Sequence, residues 1–237
     1  FIIGVKYMKK TLFSFLIIIF VVCSYYFIEL LVAKNNTPQL LQKYLSDEII
    51  KQDISEFSKR QVEILLKVQD PGFYNHKGVD FKTPGNGLTT ISQSIVKKMY
   101  FKSFKPGIGK IKQTLIARFV VHPMISKKDQ LNIFVNTIWF EKNCVGFKSA
   151  AKLYYDKHIS NLSDDEYISL VAMLSAPRGF NVRTNKKSNN ERVRRIKLLI
   201  AGKYKPKGLM DQYYGKLSKD EQENIAPASY FETIYKE

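Results

Sequence analysis

The sequence contains few of the residues that build metal centres and disulfide frameworks. Two cysteines, three histidines and one tryptophan occur among 237 residues. Cys23 and Cys144 are isolated and show no metal-ligand spacing, so we expect ordinary packing residues rather than a disulfide or a metal site. Internal repeats and low-complexity tracts are also absent, which excludes repeat architectures and extended flexible linkers.

Long apolar runs are absent too, with one exception near the start of the chain. Residues 12–32 are interrupted only by Ser14, Ser24 and Glu29, and as a helix these 21 residues can cross a hydrocarbon core of about 30 Å. Three lysines precede the run and one follows closely, so we expect residues 1–11 in the cytoplasm and the domain outside it. A cleaved signal peptide is the alternative, but no small-x-small site follows.

The rest of the chain predicts one mainly helical domain. Residues 1–7 precede the first methionine, as expected either for translated sequence upstream of the true start or for a truncated start. Residues 33–60 form a polar connector, residues 61–205 the domain, and residues 206–237 a C-terminal tail. Apolar residues recur at helical spacing through seven segments, and short β-like runs are few. These segments are 61–68, 91–101, 111–121, 129–139, 147–155, 165–175 and 191–200.

Acidic residues are missing altogether from residues 81–128, which hold ten lysines or arginines in a chain of net charge +17. Such a tract favours an anionic partner. A domain anchored outside the cytoplasm is not expected to meet nucleic acid. The mixture of aromatics and lysines in residues 99–110 is typical of a surface that contacts lipid headgroups. The alternative is a solvated basic face without a partner.

The segment QDPGFYNHKGVD, residues 69–80, resembles E-D-x-x-F-x-x-H-x-G-x-D, the first signature of the bacterial peptidoglycan glycosyltransferase (transglycosylase) family. The resemblance implies that the leading glutamate is the general base, and Gln69 occupies its place. A carboxamide has nearly the shape of a carboxylate but cannot remove the proton, a step typically worth about 10²–10⁴-fold in rate. The matching positions are Asp70, Phe73, His76, Gly78 and Asp80.

A second segment, GLTTISQSIVKK at residues 87–98, resembles the family pattern G-G-S-T-I-T-Q-Q-x-x-K-N. Its donors suit the oxygens of a sugar pyrophosphate, with Lys97 as the foremost candidate phosphate contact. Leu88, Ser94 and Lys98 depart from the pattern. The substrate-binding residues that the resemblance implies here are Thr90, Ser92, Gln93 and Lys97.

The third signature, R-K-x-x-E, is matched by GKIKQT at residues 109–114. Aligning Lys110 with the family lysine puts the second catalytic glutamate on Gln113, whereas counting back from SKKDQLNIFVN at residues 126–136 puts it on Thr114. Neither residue is a carboxylate. Asp70, beside the degenerate base position, is a candidate substitute base, and Lys110 and Lys112 are candidate pyrophosphate contacts.

The resemblance continues to about residue 205, through Phe134–Lys157, Leu162–Val182 and residues 191–200. It implies a lysozyme-like helical lobe beside a smaller membrane-facing lobe, of the monofunctional type without a transpeptidase domain. Only six residues separate Asp80 from Gly87, where the family usually has a longer membrane-contacting helix. Phe73, His76 and Asn136 complete the implied substrate-binding set, with structural roles as the alternative for His76 and Asn136.

The family reaction that the resemblance implies is attack of an acceptor sugar hydroxyl on a lipid-pyrophosphate-linked glycan at the inner (cytoplasmic) membrane of a bacterium. With both glutamates replaced, we expect binding of lipid II or a related glycan, with polymerisation impaired or absent. The alternatives are a divergent active glycosyltransferase and a non-catalytic scaffold for cell-wall synthases. Lipid II, membrane lipids and such synthases are the expected partners. No cofactor is required by the residues themselves, although the resemblance implies that a divalent cation can take part.

Overall fold

The computed structural model describes the backbone of residues 2–225 and the side chains of residues 10–225. Within that range the protein is built from helices and one small hairpin, so the prediction of a mainly helical fold is confirmed. The helices are α1 (Ile2–Tyr44), α2 (Lys59–Gln69), α3 (Ile91–Tyr100), α4 (Ile108–Ile116), α5 (His122–Met124), α6 (Lys127–Thr137), α7 (Phe147–Tyr155), α8 (Asp164–Met173), α9 (Lys186–Ile200) and α10 (Lys219–Asn224). A π-helical turn, Ala117–Val121, joins α4 to α5, and strands β1 (Trp139–Glu141) and β2 (Cys144–Val145) pair antiparallel.

Helix α1 contains the apolar run and continues past it. The segment Lys10–Tyr44 is long and apolar enough to cross a membrane, with a mean hydropathy of 2.6 in its most apolar window. The helix does not end at residue 32 but continues to Tyr44, so the first part of the predicted connector prolongs the apolar helix. Thr37 in this prolongation is buried, and its hydroxyl lies 2.9 Å from that of Tyr100 on α3, which fixes the helix to the domain.

The core is centred on α8, in which every residue from Tyr167 to Met173 is buried. This helix packs against α2, α7 and α9, while α3 packs against α6 and α4. Helix α8 begins with a capping box in which the Ser163 hydroxyl accepts from the Glu166 backbone and the Glu166 side chain accepts in return. The domain is thus a helical body whose α4 side contacts α1.

The segment between Asp80 and Gly87 is a turn, as its proline and glycines predict. The Asp80 carboxylate accepts from the backbone N–H groups of Lys82 and Thr83 at 2.8 and 3.0 Å, which holds the turn in place. Two further hydrogen bonds tie it to the C-terminal region, from Gly85 N to Gly208 O and from Gly87 N to Leu209 O.

The C-terminal region proves to be more than a loose tail. Tyr214 is buried and donates its hydroxyl to the carbonyl oxygen of Val68 at 3.0 Å, and Glu221 forms a buried ion pair with Arg195 at 3.0 Å. Residues 206–225 are therefore part of the folded domain. The remainder of the predicted tail, residues 226–237, lies outside the described residues.

Candidate functional site

A cavity of about 380 Å³ lies where α2, α3, α6, the loop after α8, α9 and the C-terminal segment meet. Gln69 lines it at the end of α2, and Ser94, Lys97 and Lys98 line it along α3. Its apolar surface includes Leu88, Phe134, Leu174, Met210 and Tyr213, together with the single tryptophan, Trp139. Its size falls within the range of about 300–1,000 Å³ typical of ligand pockets.

Among the residues that the structure describes, the ionisable side chains that line this cavity are those of lysines, arginines and one tyrosine. Lys97, Lys98, Arg178 and Arg192 contribute four positive charges, and no aspartate or glutamate from the described part of the chain lines the cavity. Burial lowers the pKa of Lys97 to about 8, because the charged ammonium is poorly hydrated there. Burial also lowers the pKa of Lys98. The cavity is an electropositive site suited to an anion.

Gln69 is the predicted catalytic position that lies at this cavity. It is the last residue of α2, and its side chain is half-buried. A carboxylate at this place would stand at the negative end of the helix dipole, which raises a carboxyl pKa, and beside lysines, which lower it. The carboxamide experiences neither effect, because it does not ionise.

Asp70 adjoins Gln69 in sequence but faces the interior. Its carboxylate is fully buried and accepts from His76 Nε2 at 2.9 and 3.0 Å and from the backbone N–H of Ile91 at 2.9 Å. His76 Nδ1 in turn accepts from Gly78 N at 3.0 Å, which assigns the proton to Nε2. The geometry disfavours Asp70 as the substitute base, because its oxygens connect α2 to the start of α3 and are closed to a substrate.

The two candidates for the second catalytic position lie away from the cavity. Gln113 is fully buried, and its Nε2 donates to the Gln93 carbonyl oxygen at 2.6 Å. Thr114 donates its hydroxyl to Lys110 O at 2.8 Å and accepts from Gln93 Nε2 at 2.9 Å. Both side chains serve the packing of α4 against α3, so Gln69 on α2 is the one predicted glutamate position that lines the cavity.

Three polar residues at the start of α3 stabilise this helix and do not line the cavity. Thr90 and Gln93 form a capping box, and Thr90 also donates its hydroxyl to Gly78 O at 2.8 Å. Ser92 donates to Gln130 Oε1 at 2.6 Å and is fully buried. The geometry does not support direct substrate contacts for them, because their polar atoms bind other parts of the protein.

The two lysines of α4 have different environments. Lys110 Nζ donates to Leu88 O at 2.7 Å and to Thr89 Oγ1 at 3.0 Å, so it braces the segment that borders the cavity. Burial, reinforced by the charge of Lys97, lowers its pKa to about 8. Lys112 instead forms an ion pair with Glu29 of α1 at 2.5 Å, which joins the domain to the apolar helix rather than to the cavity.

The remaining implied substrate contacts are also structural. Phe73 is buried, with the Lys127 ammonium 4.2 Å from its ring centroid. The Asn136 amide accepts from the backbone N–H groups of Lys51 and Gln52 and donates to Gln52 O and Asn132 O. The hydrogen-bonding capacity of Asn136 is fully used in attaching the connector to α6.

Several cavity residues were not among the predicted site residues. Ser94 and Lys98 were visible only as departures from a motif, and Trp139, Arg178 and Arg192 come from three distant segments. Arg192 is almost fully buried, and its Nη2 donates to Gln212 O at 2.7 Å. The spacing of polar and apolar residues in residues 191–200 predicts a helix but gives no indication that Arg192 faces inward.

The cavity residues do not fit a protein-bound divalent cation. Magnesium and similar cations prefer carboxylate and carbonyl oxygens, whereas four cationic side chains line this site. Among the described residues, no three His, Cys, Asp or Glu side chains converge. We therefore derive no chemical step through a metal held by this chain.

Most of the chain matches one known protein family. A family model described as Transglycosylase matches residues 37–200. The chain belongs to the transglycosylase family. The match begins within α1, well before the first motif at residues 69–80. The end of the long helix and the connector are therefore part of the family domain.

The transglycosylase domain is also similar to parts of larger proteins. It is 28% identical over 141 residues to penicillin-binding protein 1A of Neisseria flavescens, which covers 54% of this chain and 18% of that protein. It is 27% identical over 152 residues to penicillin-binding protein 1F of Bacillus subtilis, which covers 59% of this chain and 21% of that protein. The chain therefore spans about a fifth of the length of these relatives.

Proposed function

We propose that this transglycosylase-family protein binds a lipid-pyrophosphate-linked glycan in the basic cavity without polymerising it efficiently. The observation that carries the proposal is the charge of the cavity, where four cations surround a space without a carboxylate. Charge-assisted hydrogen bonds from lysine and arginine are the ordinary means of holding phosphate oxygens. Since Gln69 cannot accept a proton, the group that activates an acceptor hydroxyl is missing.

The apolar helix and α4 support binding at a membrane. Ile108 and Ile111 expose 69% and 50% of their surface on α4, the helix whose Lys112 pairs with Glu29 of α1. Exposed aliphatic side chains beside a membrane-spanning helix are expected to contact the lipid interface, and the neighbouring lysines favour anionic headgroups. Such a location would bring a lipid-linked ligand to the cavity.

Two alternatives give different expectations. An active glycosyltransferase would need another base, and Asp70 is poorly placed for it because its carboxylate is buried and bonded to the His76 ring nitrogen and the Ile91 backbone N–H. A scaffold for cell-wall synthases would need no ligand in the cavity. The positive charge of the four lining residues suits an anionic ligand, which favours the ligand-binding proposal over the scaffold.

The proposal is tested by restoring the carboxylate at the cavity. In a polymerisation assay with lipid II in detergent, we expect no glycan chains from the wild type and chains from Gln69→Glu, with a gain on the order of 10²-fold over background. Gln69→Asn is the matched control and should remain inactive. Gln113→Glu should not add activity and should lower the melting temperature, since its carboxylate would face the Gln93 carbonyl oxygen.

Chains from the wild type would overturn the proposal of missing turnover. If Gln69→Glu binds the ligand and produces no chains, the loss of the general base is not the reason for inactivity.

The affinity for the ligand should fall with rising pH as the lysines near the cavity lose their charge. The pKa values of Lys97 and Lys110 are both lowered to about 8, so each cation loses its charge as the pH rises through that value. We expect affinity for a pyrophosphate lipid to fall several-fold between about pH 7 and pH 9. Lys97→Arg should weaken this dependence, because arginine stays charged throughout. A titration that gives the same affinity at both pH values would contradict the assignment.

A further inference from the structure

The C-terminal segment, residues 206–225, does more than complete the fold, because it supplies one wall of the basic cavity. Met210, Gln212 and Tyr213 line the cavity from its first half, and Asn224 and Ile225 line it from its end. We name residues 206–225 the cover. Its lining residues face the same space as Lys97 and Lys98, although they lie more than a hundred residues away in sequence.

The cover is attached to two loops that border the cavity. At Gly87, a Cβ atom would lie 2.4 Å from Gln212 Oε1, and the residue has a φ of +66°, so both space and backbone favour glycine. At Gly179, in the loop after α8, a Cβ atom would lie 2.8 Å from Asn224 O. The cover backbone thus approaches Gly179 too closely for a side chain, while its Gln212 side chain lies against Gly87, so the cover connects the two loops.

Buried polar contacts hold the cover in this position. Arg192 lies 5.3 Å from the Tyr213 ring centroid and 4.7 Å from that of Tyr214, and it donates to the backbone oxygen of Gln212. The Arg195–Glu221 pair is buried, with side-chain exposures of 9% and 3%. Separating such a pair would leave an unpaired buried charge, so the cover is a fixed part of the site.

We propose that the cover restricts the cavity to the end of a lipid-linked ligand, namely a pyrophosphate with a single disaccharide unit, and excludes a longer glycan chain. This inference rests on the proposed function. The cavity volume of about 380 Å³ is near the lower end of the range of about 300–1,000 Å³ in which single small ligands bind. Met210, Gln212 and Tyr213 line the same cavity as Lys97 and Lys98, so a chain of sugars that extends from a pyrophosphate at these lysines toward the C-terminal wall would meet them.

Trp139 provides a direct measurement, because it is the single tryptophan and it lines the cavity. The full chain in detergent is titrated with a lipid-pyrophosphate disaccharide and, separately, with a lipid-pyrophosphate oligomer of the same disaccharide, and the tryptophan fluorescence is followed. We expect the wild type to bind the single unit at least about tenfold more tightly than the oligomer, a difference of about 1.4 kcal/mol.

A variant that widens the cavity should lose this preference. Met210→Ala combined with Gln212→Ala shortens two cover side chains and leaves the contacts of Tyr214 and Glu221 intact, and the bond from Arg192 reaches the Gln212 backbone rather than its side chain. We expect its preference to fall to about twofold or less. Lys216→Ala, an exposed change on the same segment that does not line the cavity, should keep the wild-type preference.

Equal wild-type affinity for the two ligands would overturn the cover proposal and leave the proposed function standing. An unchanged preference in the double variant would overturn it as well. Failure of the wild type to bind the single unit would overturn the proposed function and the cover proposal together.

Discussion

Lys97→Met is expected to weaken binding of a lipid-linked pyrophosphate by about 10–100-fold, the loss typical of a charge-assisted hydrogen bond. The same change should raise the free energy of unfolding of the ligand-free protein by about 1–2 kcal/mol, because burial of this ammonium disfavours its charged form, as the lowered pKa of about 8 indicates. Affinity is measured by Trp139 fluorescence and stability by thermal melting in detergent. Loss of binding together with a gain in stability is the signature of a residue kept for its ligand.

Lys112→Met is the matched control for this prediction. Lys112 belongs to the same basic tract, but its ammonium pairs with Glu29 instead of lining the cavity. We expect its affinity for the pyrophosphate lipid to stay within about twofold of wild type. If Lys112→Met weakens binding as much as Lys97→Met does, the ligand contacts the α4 surface and the cavity is the wrong site.

Lys97 also determines the direction in which stability changes with pH. Its folded-state pKa lies below its unfolded value, so between these values the unfolded chain binds more protons than the folded one. The contribution of Lys97 to the stability of the ligand-free protein therefore increases as the pH rises above about 8. Ligand affinity moves in the opposite direction over the same range, because the anion needs the charged form.

Asp70→Asn is expected to lower the free energy of unfolding by about 2–4 kcal/mol, the cost of leaving buried polar groups badly paired. The Asp70 carboxylate accepts from His76 Nε2 and from Ile91 N, and both groups are donors. An asparagine oxygen in the place of Oδ2 can accept from both, but the NH₂ group in the place of Oδ1 then faces the His76 Nε2 donor 2.9 Å away. Thermal melting of the variant in detergent measures the effect.

Asp47→Asn, a change at an exposed carboxylate, serves as the control and should melt like the wild type. An Asp70→Asn variant as stable as the wild type would show that the buried network is not needed for folding. It would also reopen the assignment of Asp70 as a substitute base, since its carboxylate would then have no structural role.

Local sequence patterns predicted the helices well but not how long they are or how they connect. Apolar periodicity indicated the segments of the domain, because a helix that buries one face repeats its apolar residues with a period of 3.6. The prolongation of α1 to Tyr44 was not predicted, because its polar surface resembles a linker and only the contact of Thr37 with α3 reveals its packing. The role of residues 206–225 depends likewise on partners far away in sequence, such as Val68 and Arg195.

The site was predicted in part. Gln69 and Lys97 do line one cavity, and their motifs located them without a structure. Thr90 and Gln93 could have been recognised as a capping box from their T-x-x-Q spacing, since such a box satisfies backbone donors at the start of a helix. Arg178 and Arg192 were not predictable, because residues from separate helices and loops meet at the cavity only in the folded chain.

The most direct test of the account is to incubate the wild-type chain with a labelled lipid-pyrophosphate disaccharide, separate bound from free ligand, and analyse the bound fraction for longer glycans. We expect saturable binding and recovery of the ligand as the unchanged single unit. Recovery of glycan chains, or the absence of any bound ligand, would contradict it.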